Sequence, residues 1–366
     1  MTLNSEPNIV ILGNGGAACH AVVAARNAGF TGEIHMISDV REPAFNPMLA
    51  PYYLKGLLPW EHCFPFGADF YRRHDVIRHF GSPVVELNAI EKTVKTEAGF
   101  QLRWDQCLVA TGANAAIPPV PGLEASPFAY PLRTSASTRQ LESVLAKADK
   151  AVVMGASLVG IKIAEILAHK KARVMVVDVA GQVMPRGAHP KTAAHLQSYF
   201  EQHGVEFLLG CSLEGLEEKE DGVCCFFPES IIENADFIGV CTGIRSNLRF
   251  IDSHQVHTDL GIVIDEECRS SVDGLYAAGD CAQGINPMTG KKEWQGTWIN
   301  ACCQGRTAGL NMAGKSSRFE GIVPQHISPF FQWTYAQIGN ISTMGDSARI
   351  ETFGDPFKGD GKYRLL

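Results

Sequence analysis

One local pattern occurs twice in this chain, and it restricts the possible folds more than any other feature. Asn8-Ile9-Val10-Ile11-Leu12 is an apolar, β-branched run, followed by Gly13-Asn14-Gly15-Gly16-Ala17-Ala18 and an alanine-rich stretch reaching about Arg26-Asn27-Ala28-Gly29. Ala151-Val152-Val153-Met154 leads in the same way into Gly155-Ala156-Ser157-Leu158-Val159-Gly160. A helical stretch then runs from Ile161 to about His169, closed by Lys170, Lys171 and Arg173. Both read as strand, tight turn and helix, and the cationic cluster suits a helix C-terminus. Gly13 permits the turn, Gly15 lets backbone approach a pyrophosphate, and the small Ala18 lets helix and strand pack closely. The orphan N–H groups and positive dipole end of the helix would then face the phosphates. For either loop taken singly, a glycine-rich turn that serves packing alone is the competing reading.

The residues beyond each helix add weight to the ligand reading. The strand Glu33–Ile37 delivers Asp39, 26 residues after Gly13, and the strand Val174–Val177 delivers Asp178, 23 residues after Gly155. A carboxylate there accepts from an adenosine ribose hydroxyl; at Asp178 it favours NAD(H) over NADP(H), whose 2′-phosphate it would repel. No arginine directly follows Asp178. Ser157 replaces the middle glycine of the second loop and brings a Cβ toward the phosphates. Two more segments complete the constellation. Cys107-Leu108-Val109-Ala110-Thr111-Gly112 is a buried strand with a small-residue turn before the proline-rich connection Ile117–Gly122, which reads as a domain crossing. Gly274-Leu275-Tyr276-Ala277-Ala278-Gly279-Asp280 is another short strand, ending in a Gly-Asp pair able to bring a carboxylate and backbone N–H groups to a cofactor.

Composition narrows the function class. At roughly 100–200 residues per domain, 366 residues predict two or three domains. Lys plus Arg number 32 against 39 acids, and this net charge of −7 argues against a nucleic-acid binder. Eleven cysteines without any C-x-x-C, two pairs of them adjacent, look like a reduced, cytoplasmic inventory. Residues 7–25 carry no charge, but Asn8, Asn14, His20 and three glycines interrupt them, so no membrane span is expected. Met1–Glu6 lacks the basic region of a secretory signal. Scattered histidines without metal spacing predict no metal site.

These four segments in this order resemble the pyridine nucleotide–disulfide oxidoreductase superfamily over about residues 8–314. The resemblance implies an α/β fold of two Rossmann-like, three-layer dinucleotide-binding domains, the NAD domain inserted in the FAD domain, plus a short α+β C-terminal domain. The boundaries expected are 1–116 and 244–314 for FAD, 117–243 for NAD(H) and 315–366 for the C-terminal interface domain. It further implies FAD contacts from Gly13, Gly15, Gly16, Ala17, Ala18, Asp39, Pro47, Ala110, Thr111, Gly112, Arg133, Gly279 and Asp280. NAD contacts are implied for Gly155, Ser157, Leu158, Val159, Gly160, Asp178 and Gly243.

The branch is indicated by what is missing. Family members that use a single redox cysteine carry it after the first acid, and Ala44-Phe45-Asn46-Pro47-Met48-Leu49-Ala50-Pro51-Tyr52-Tyr53-Leu54-Lys55-Gly56 has none. This segment, with Trp298-Ile299-Asn300-Ala301, Gln304-Gly305-Arg306 and Ala308, resembles the rubredoxin and ferredoxin reductases. Cys281, Cys302 and Cys303 are expected near the isoalloxazine, with packing as their role. Lys162 stands where this branch often has glutamate, and Glu165 lies one helical turn on. Lys162 could meet the flavin edge or the nicotinamide, or pair with Glu165. A looser resemblance is to NAD-reducing subunits of phenylglyoxylate-type 2-oxoacid dehydrogenases.

Residues 191–203 read as an amphipathic helix, 205–209 as a strand and 217–222 as a solvated hairpin tip. Ser328–Trp333 resembles the start of the family's C-terminal domain, which is usually longer than 315–366 allows, so a reduced domain or an early end is implied. The function expected is an FAD-dependent NADH oxidoreductase, with NADH preferred over NADPH, passing electrons to a small rubredoxin- or ferredoxin-like protein. Lys162, Glu165 and Trp298 are the catalytic candidates. The alternatives are an NAD-reducing flavoprotein working with sister subunits and a non-catalytic NADH/FAD redox sensor. A monomer or a homodimer fits either.

Overall fold

A computed structural model of the chain describes residues 7–339 and the strands Ile350–Phe353 and Lys362–Leu365. The signal-free reading of residues 1–6 and the chain end at Leu366 fall outside the described residues. In chain order, the principal elements begin with β1 (Ile9–Leu12), α1 (Gly16–Asn27), β2 (Ile34–Ser38), β3 (Val76–Phe80), β4 (Gln106–Val109), β5 (Ala129–Pro131) and β6 (Lys150–Met154). They continue with α2 (Leu158–His169), β7 (Arg173–Asp178), α3 (Pro190–Gln202), β8 (Val205–Leu209), β9 (Phe237–Val240), β10 (Leu275–Ala277), α4 (Trp298–Met312), β11 (Gln325–Phe330) and β12 (Trp333–Ile338).

These elements group into two compact units. The first is Met1–Tyr53, Leu58–Asn114 and Arg245–Val323; the second is Leu54–Leu57, Ala115–Ile244 and Pro324–Leu366. The first unit carries a parallel sheet of order β10-β4-β1-β2-β3, and the second a parallel sheet of order β5-β9-β6-β7-β8. The two orders superimpose strand for strand, with β1 matching β6 and β2 matching β7. Each chain run between the third and fourth equivalent strands forms a three-stranded antiparallel sheet: Val84–Asn88, Thr93–Thr96 and Gln101–Arg103 in one unit, Gly215–Lys219, Gly222–Phe226 and Ile232–Ala235 in the other. The two units differ in when the outermost strand is made: β5 precedes its sheet, while β10 follows it.

Continuous apolar runs suit strands covered on both faces. Alternation sorts them in β6, where Ala151 and Val153 join the helical core with Ile161, Ala164, Leu196 and Phe200. Val152 and Met154 face the antiparallel layer with Val223, Cys225 and Phe227. The result is helix, parallel sheet and antiparallel sheet, three layers set by a period of two. The predicted hairpin tip near 217–222 is the turn between two of these strands. Among the described residues no helix is long and apolar enough to cross a membrane. Nor does any group of three or more His, Cys, Asp and Glu side chains among them suit a metal ion.

Candidate functional site

In the first unit, β1 ends in a loop whose shape is set by its neighbours. Gly13 donates its N–H to the Ile37 carbonyl at 2.7 Å and has φ +108°, and a Cβ there would fall inside the Ala110 carbonyl. Only glycine fits. Gly15 is the N-cap of α1 with no side-chain cap, and nothing lies within 4 Å of where its Cβ would stand. No N-cap side chain takes up the first α1 N–H groups and no atom crowds Gly15, a cradle that fits a pyrophosphate. Gly16, Ala17 and Ala18 are buried, and Asp39 is exposed just past β2.

Trp298 opens α4 and lies against α1: a Cβ on Gly16 would stand 2.9 Å from its indole. Gln304, buried in α4, accepts from the Gly279 N–H at 2.8 Å, while the Asp280 carbonyl accepts from Trp294 Nε1 at 2.8 Å and from Ser246 Oγ at 2.9 Å. Thr111 Oγ1 donates to the Asn247 carbonyl at 2.8 Å, and Gly112 accepts from the Asn247 N–H at 3.0 Å. Pro47 sits in a turn where Asn46 Oδ1 accepts from the Met48 N–H at 3.0 Å. The first unit thus brings together the predicted loop, Ala110–Gly112 and Gly279–Asp280. Arg133 lies in the second unit, its N–H donating to Ser137 Oγ at 3.0 Å.

The second loop repeats the first. Gly155 donates to the Val177 carbonyl at 2.7 Å with φ +103°, and its Cβ would fall inside the Cys241 carbonyl. Gly160 is pressed against the Gly155 carbonyl. Ser157, the N-cap of α2, turns its hydroxyl to the Cys241 carbonyl at 3.3 Å rather than onto the helix, so α2, like α1, has no side-chain cap. Leu158 is half-buried, Val159 exposed, and Gly243 has φ +109°. Asp178 accepts from the Ala156 N–H at 2.7 Å and from the Ala180 N–H at 2.8 Å. A carboxylate has about four acceptor sites, so capacity remains for a ribose hydroxyl. Both loops fit a dinucleotide.

On α2 of the second unit lies a buried charge cluster. Glu165 is 1% exposed; its carboxylate pairs with Lys55 and accepts the Phe331 N–H. Lys162, 3% exposed, stands 3.8 Å from the same carboxylate, donates to the Pro329 carbonyl and lies 4.4 Å from the Phe330 ring centroid. Burial, and then the neighbouring Lys55 charge, lower the Lys162 pKa to about 8, against the opposing pull of Glu165. Phe331, at the turn between β11 and β12, adopts φ +50° and stacks on His203 at 3.9 Å. Trp333 stacks on Tyr199 at 3.8 Å.

The cysteines support packing. Cys281 is fully buried and its thiol donates to the carbonyls of Val109 at 3.2 Å and Ala278 at 3.3 Å. Burial pushes the Cys281 thiol up and Cys302 up to about 11, the opposite of an activated thiolate.

Two residues had no signal in spacing or motif. Lys55 sits inside the Ala44–Gly56 segment yet meets a glutamate 110 positions away. Tyr71, buried in a short helix, reaches the first loop. A long-range polar pair leaves no periodic mark on a single sequence.

A family model described as pyridine nucleotide-disulphide oxidoreductase matches residues 7–305. Subunit epsilon of the NADH-dependent phenylglyoxylate dehydrogenase of Aromatoleum evansii is 28% identical over 346 residues, covering 94% of this chain and 81% of that protein. An NADH oxidase of Methanocaldococcus jannaschii is 27% identical over 355 residues, 93% of this chain and 77% of that protein. Among solved structures, the covalent putidaredoxin reductase–putidaredoxin complex superimposes with a TM-score of 0.89 at 24% identity, covering 99% of this chain and 88% of that one.

Proposed function

The chain belongs to the pyridine nucleotide-disulphide oxidoreductase family, a family of FAD-dependent oxidoreductases, and from that premise we propose that it is an NADH oxidoreductase serving a small redox-protein acceptor. The observation that carries the reading is the repeated loop: two glycines in matching positive-φ turns, each before a helix whose N-terminus has no side-chain cap. Residues 1–116 and 244–314 form the FAD domain, 117–243 the NAD domain and 315–366 an interface domain. The α1 N-terminus, Gly13, Gly15, Gly16, Ala17, Ala18, Asp39, Pro47, Ala110, Thr111, Gly112, Gly279 and Asp280 hold FAD. Gly155–Gly160, Asp178 and Gly243 hold NADH. When bound, the flavin supplies hydride acceptance and onward electron delivery. The chain's own residues bind and orient: helix N–H groups meet phosphates, and Asp39 and Asp178 accept from ribose hydroxyls. Lys162 and Glu165 sit together on the NAD-domain helix, and Trp298 covers the start of α1. Eleven cysteines without a C-x-x-C pair are in keeping with a cytoplasmic setting.

Service within a larger complex, reducing NAD with electrons from sister subunits, is the second reading. It is favoured by the relative that spans nearly this whole chain and is named as a dehydrogenase subunit. The test is anaerobic stopped-flow mixing of the yellow protein with NADH or NADPH, then with rubredoxin, ferredoxin, disulfides or oxygen. Fast bleaching by NADH and fast reoxidation by an iron–sulfur or rubredoxin partner support the reductase; slow reoxidation by every acceptor favours a redox sensor. A colourless protein unable to bind FAD removes the assignment. Replacing Asp178 by alanine and Val179 by arginine is expected to shift the NADH-to-NADPH ratio of kcat/KM by roughly 100-fold toward NADPH, the worth of one charged hydrogen bond lost and one gained.

A further inference from the structure

The two loops repeat one another, but they are fastened differently. In the second, Asp178 accepts the Ala156 N–H at 2.7 Å and so ties down the residue between Gly155 and Ser157. In the first, Asp39 is exposed, and the corresponding residue, Asn14, lies between Gly13 and Gly15. Asn14 carries the only side chain beyond hydrogen in the run Gly13-Asn14-Gly15-Gly16, so any side-chain hold on this flexible stretch must pass through it. Both ends of its amide are engaged: Oδ1 accepts from the Tyr71 hydroxyl at 2.7 Å, and Nδ2 donates to the Glu42 carbonyl at 3.0 Å. The same hydroxyl accepts the N–H of the fully buried Ala44 at 3.0 Å. Tyr71 is itself 1% exposed, with Phe70 and Phe80 edge-on at 5.3 and 5.1 Å and the Arg78 guanidinium 5.7 Å from its ring. Its hydroxyl is held in place before any ligand arrives.

We propose that Tyr71 is the positioning residue of the first phosphate-binding loop: through Asn14 and Ala44 it joins that loop to the Glu42–Pro47 segment, setting the loop in its binding shape while Asp39 stays available to the ribose. The proposal rests on the reading of this loop as the FAD site. A loop that is three-quarters glycine loses much conformational freedom when it orders, and a hold made in advance removes that cost from binding. In the second loop the acid does both jobs; in the first they are divided between Tyr71 and Asp39.

The test is FAD affinity of the full chain, measured on apoprotein by quenching of added FAD fluorescence, together with the thermal midpoint of apo and FAD-loaded protein. Tyr71→Phe keeps the ring and removes the hydroxyl. It is expected to weaken FAD about tenfold and to narrow the gap between loaded and apo midpoints, whereas a purely structural role would lower both midpoints alike. Asn14→Ala, on the partly exposed loop, is expected to give the same loss, and the double variant no more than either single, because both cut one connection. Should Tyr71→Phe fail to fold, Asn14→Ala alone decides. Wild-type protein that binds FAD with Asn14→Ala or Tyr71→Phe binding equally well overturns the proposal and leaves the site assignment standing. Wild-type protein that does not bind FAD overturns the assignment and the proposal with it.

Discussion

Glu165→Leu is expected to cost about 3–5 kcal/mol of stability in urea melts, the range for removing one partner of a buried ion pair. The carboxylate answers the Lys55 ammonium, the Phe331 N–H and, at 3.8 Å, the Lys162 ammonium. With leucine in its place the buried Lys162 ammonium and the half-buried Lys55 ammonium face each other, and a turn amide loses its acceptor. Lys162→Met is expected to behave oppositely and lie within about 1.5 kcal/mol of wild type, since a similar volume replaces a buried cation. The pH dependence reports on Lys162. The Lys162 pKa falls from 10.5 to about 8 in the folded protein, so between those values the unfolded chain binds more protons. Stability from this residue therefore rises as pH climbs from about 8 toward 10.5, and below about 8 its burial is a standing cost. Wild type minus Lys162→Met stability should increase across that window; a flat difference would show that Lys162 titrates normally.

The pair Gly305→Ala and Gly309→Ala, made together, should be the most damaging conservative change in the first unit. On the α4 helix each of these glycines faces α1 so closely that a Cβ would fall inside the Ala17 or Ala21 backbone. Alanine in a helix interior normally gains up to about 1 kcal/mol over glycine. Here overpacking at about 1–3 kcal/mol per site exceeds that gain, because the obstacle is main chain and cannot rotate away. A net loss of about 2 kcal/mol is expected, rising to about 4 if both sites overpack at the top of that range and add fully. Since Trp298 at the head of α4 covers Gly16, the same change should also release FAD. Retention of wild-type melting and flavin content would mean that the two helices tolerate separation.

The strand–turn–helix start of each sheet was readable because its signals are local. A β-branched run, a glycine that must take positive φ and a small-residue helix lie within about a dozen residues, and Gly13 and Gly155 are squeezed as that pattern requires. The strands that lead into Ala110–Gly112 and Gly279–Asp280 were legible for the same reason, each short and ending in a glycine turn. The Lys55–Glu165 pair and the Tyr71–Asn14 bond were not, because their partners are 110 and 57 residues apart and nothing in composition links them. Lys162 illustrates the boundary. Its spacing from Glu165 was visible, but the carbonyl of Pro329 and the ring of Phe330 that also hold it belong to a hairpin far along the chain.

The late position of β10 bears on how the protein is made. On the ribosome, residues through Val109 emerge first and supply four of the five strands of the first sheet, but β10 begins only at Leu275 and α4 at Trp298. At roughly 5–20 residues per second, the nascent first unit waits on the order of ten seconds or longer with β4 as an open edge and the tight face of α1 bare. The second sheet, contiguous from Ala129 to Val240, is complete before that wait ends. The unit that begins first is therefore the one that closes last, and it is the newborn chain with its β4 edge uncovered that most needs a chaperone's shelter.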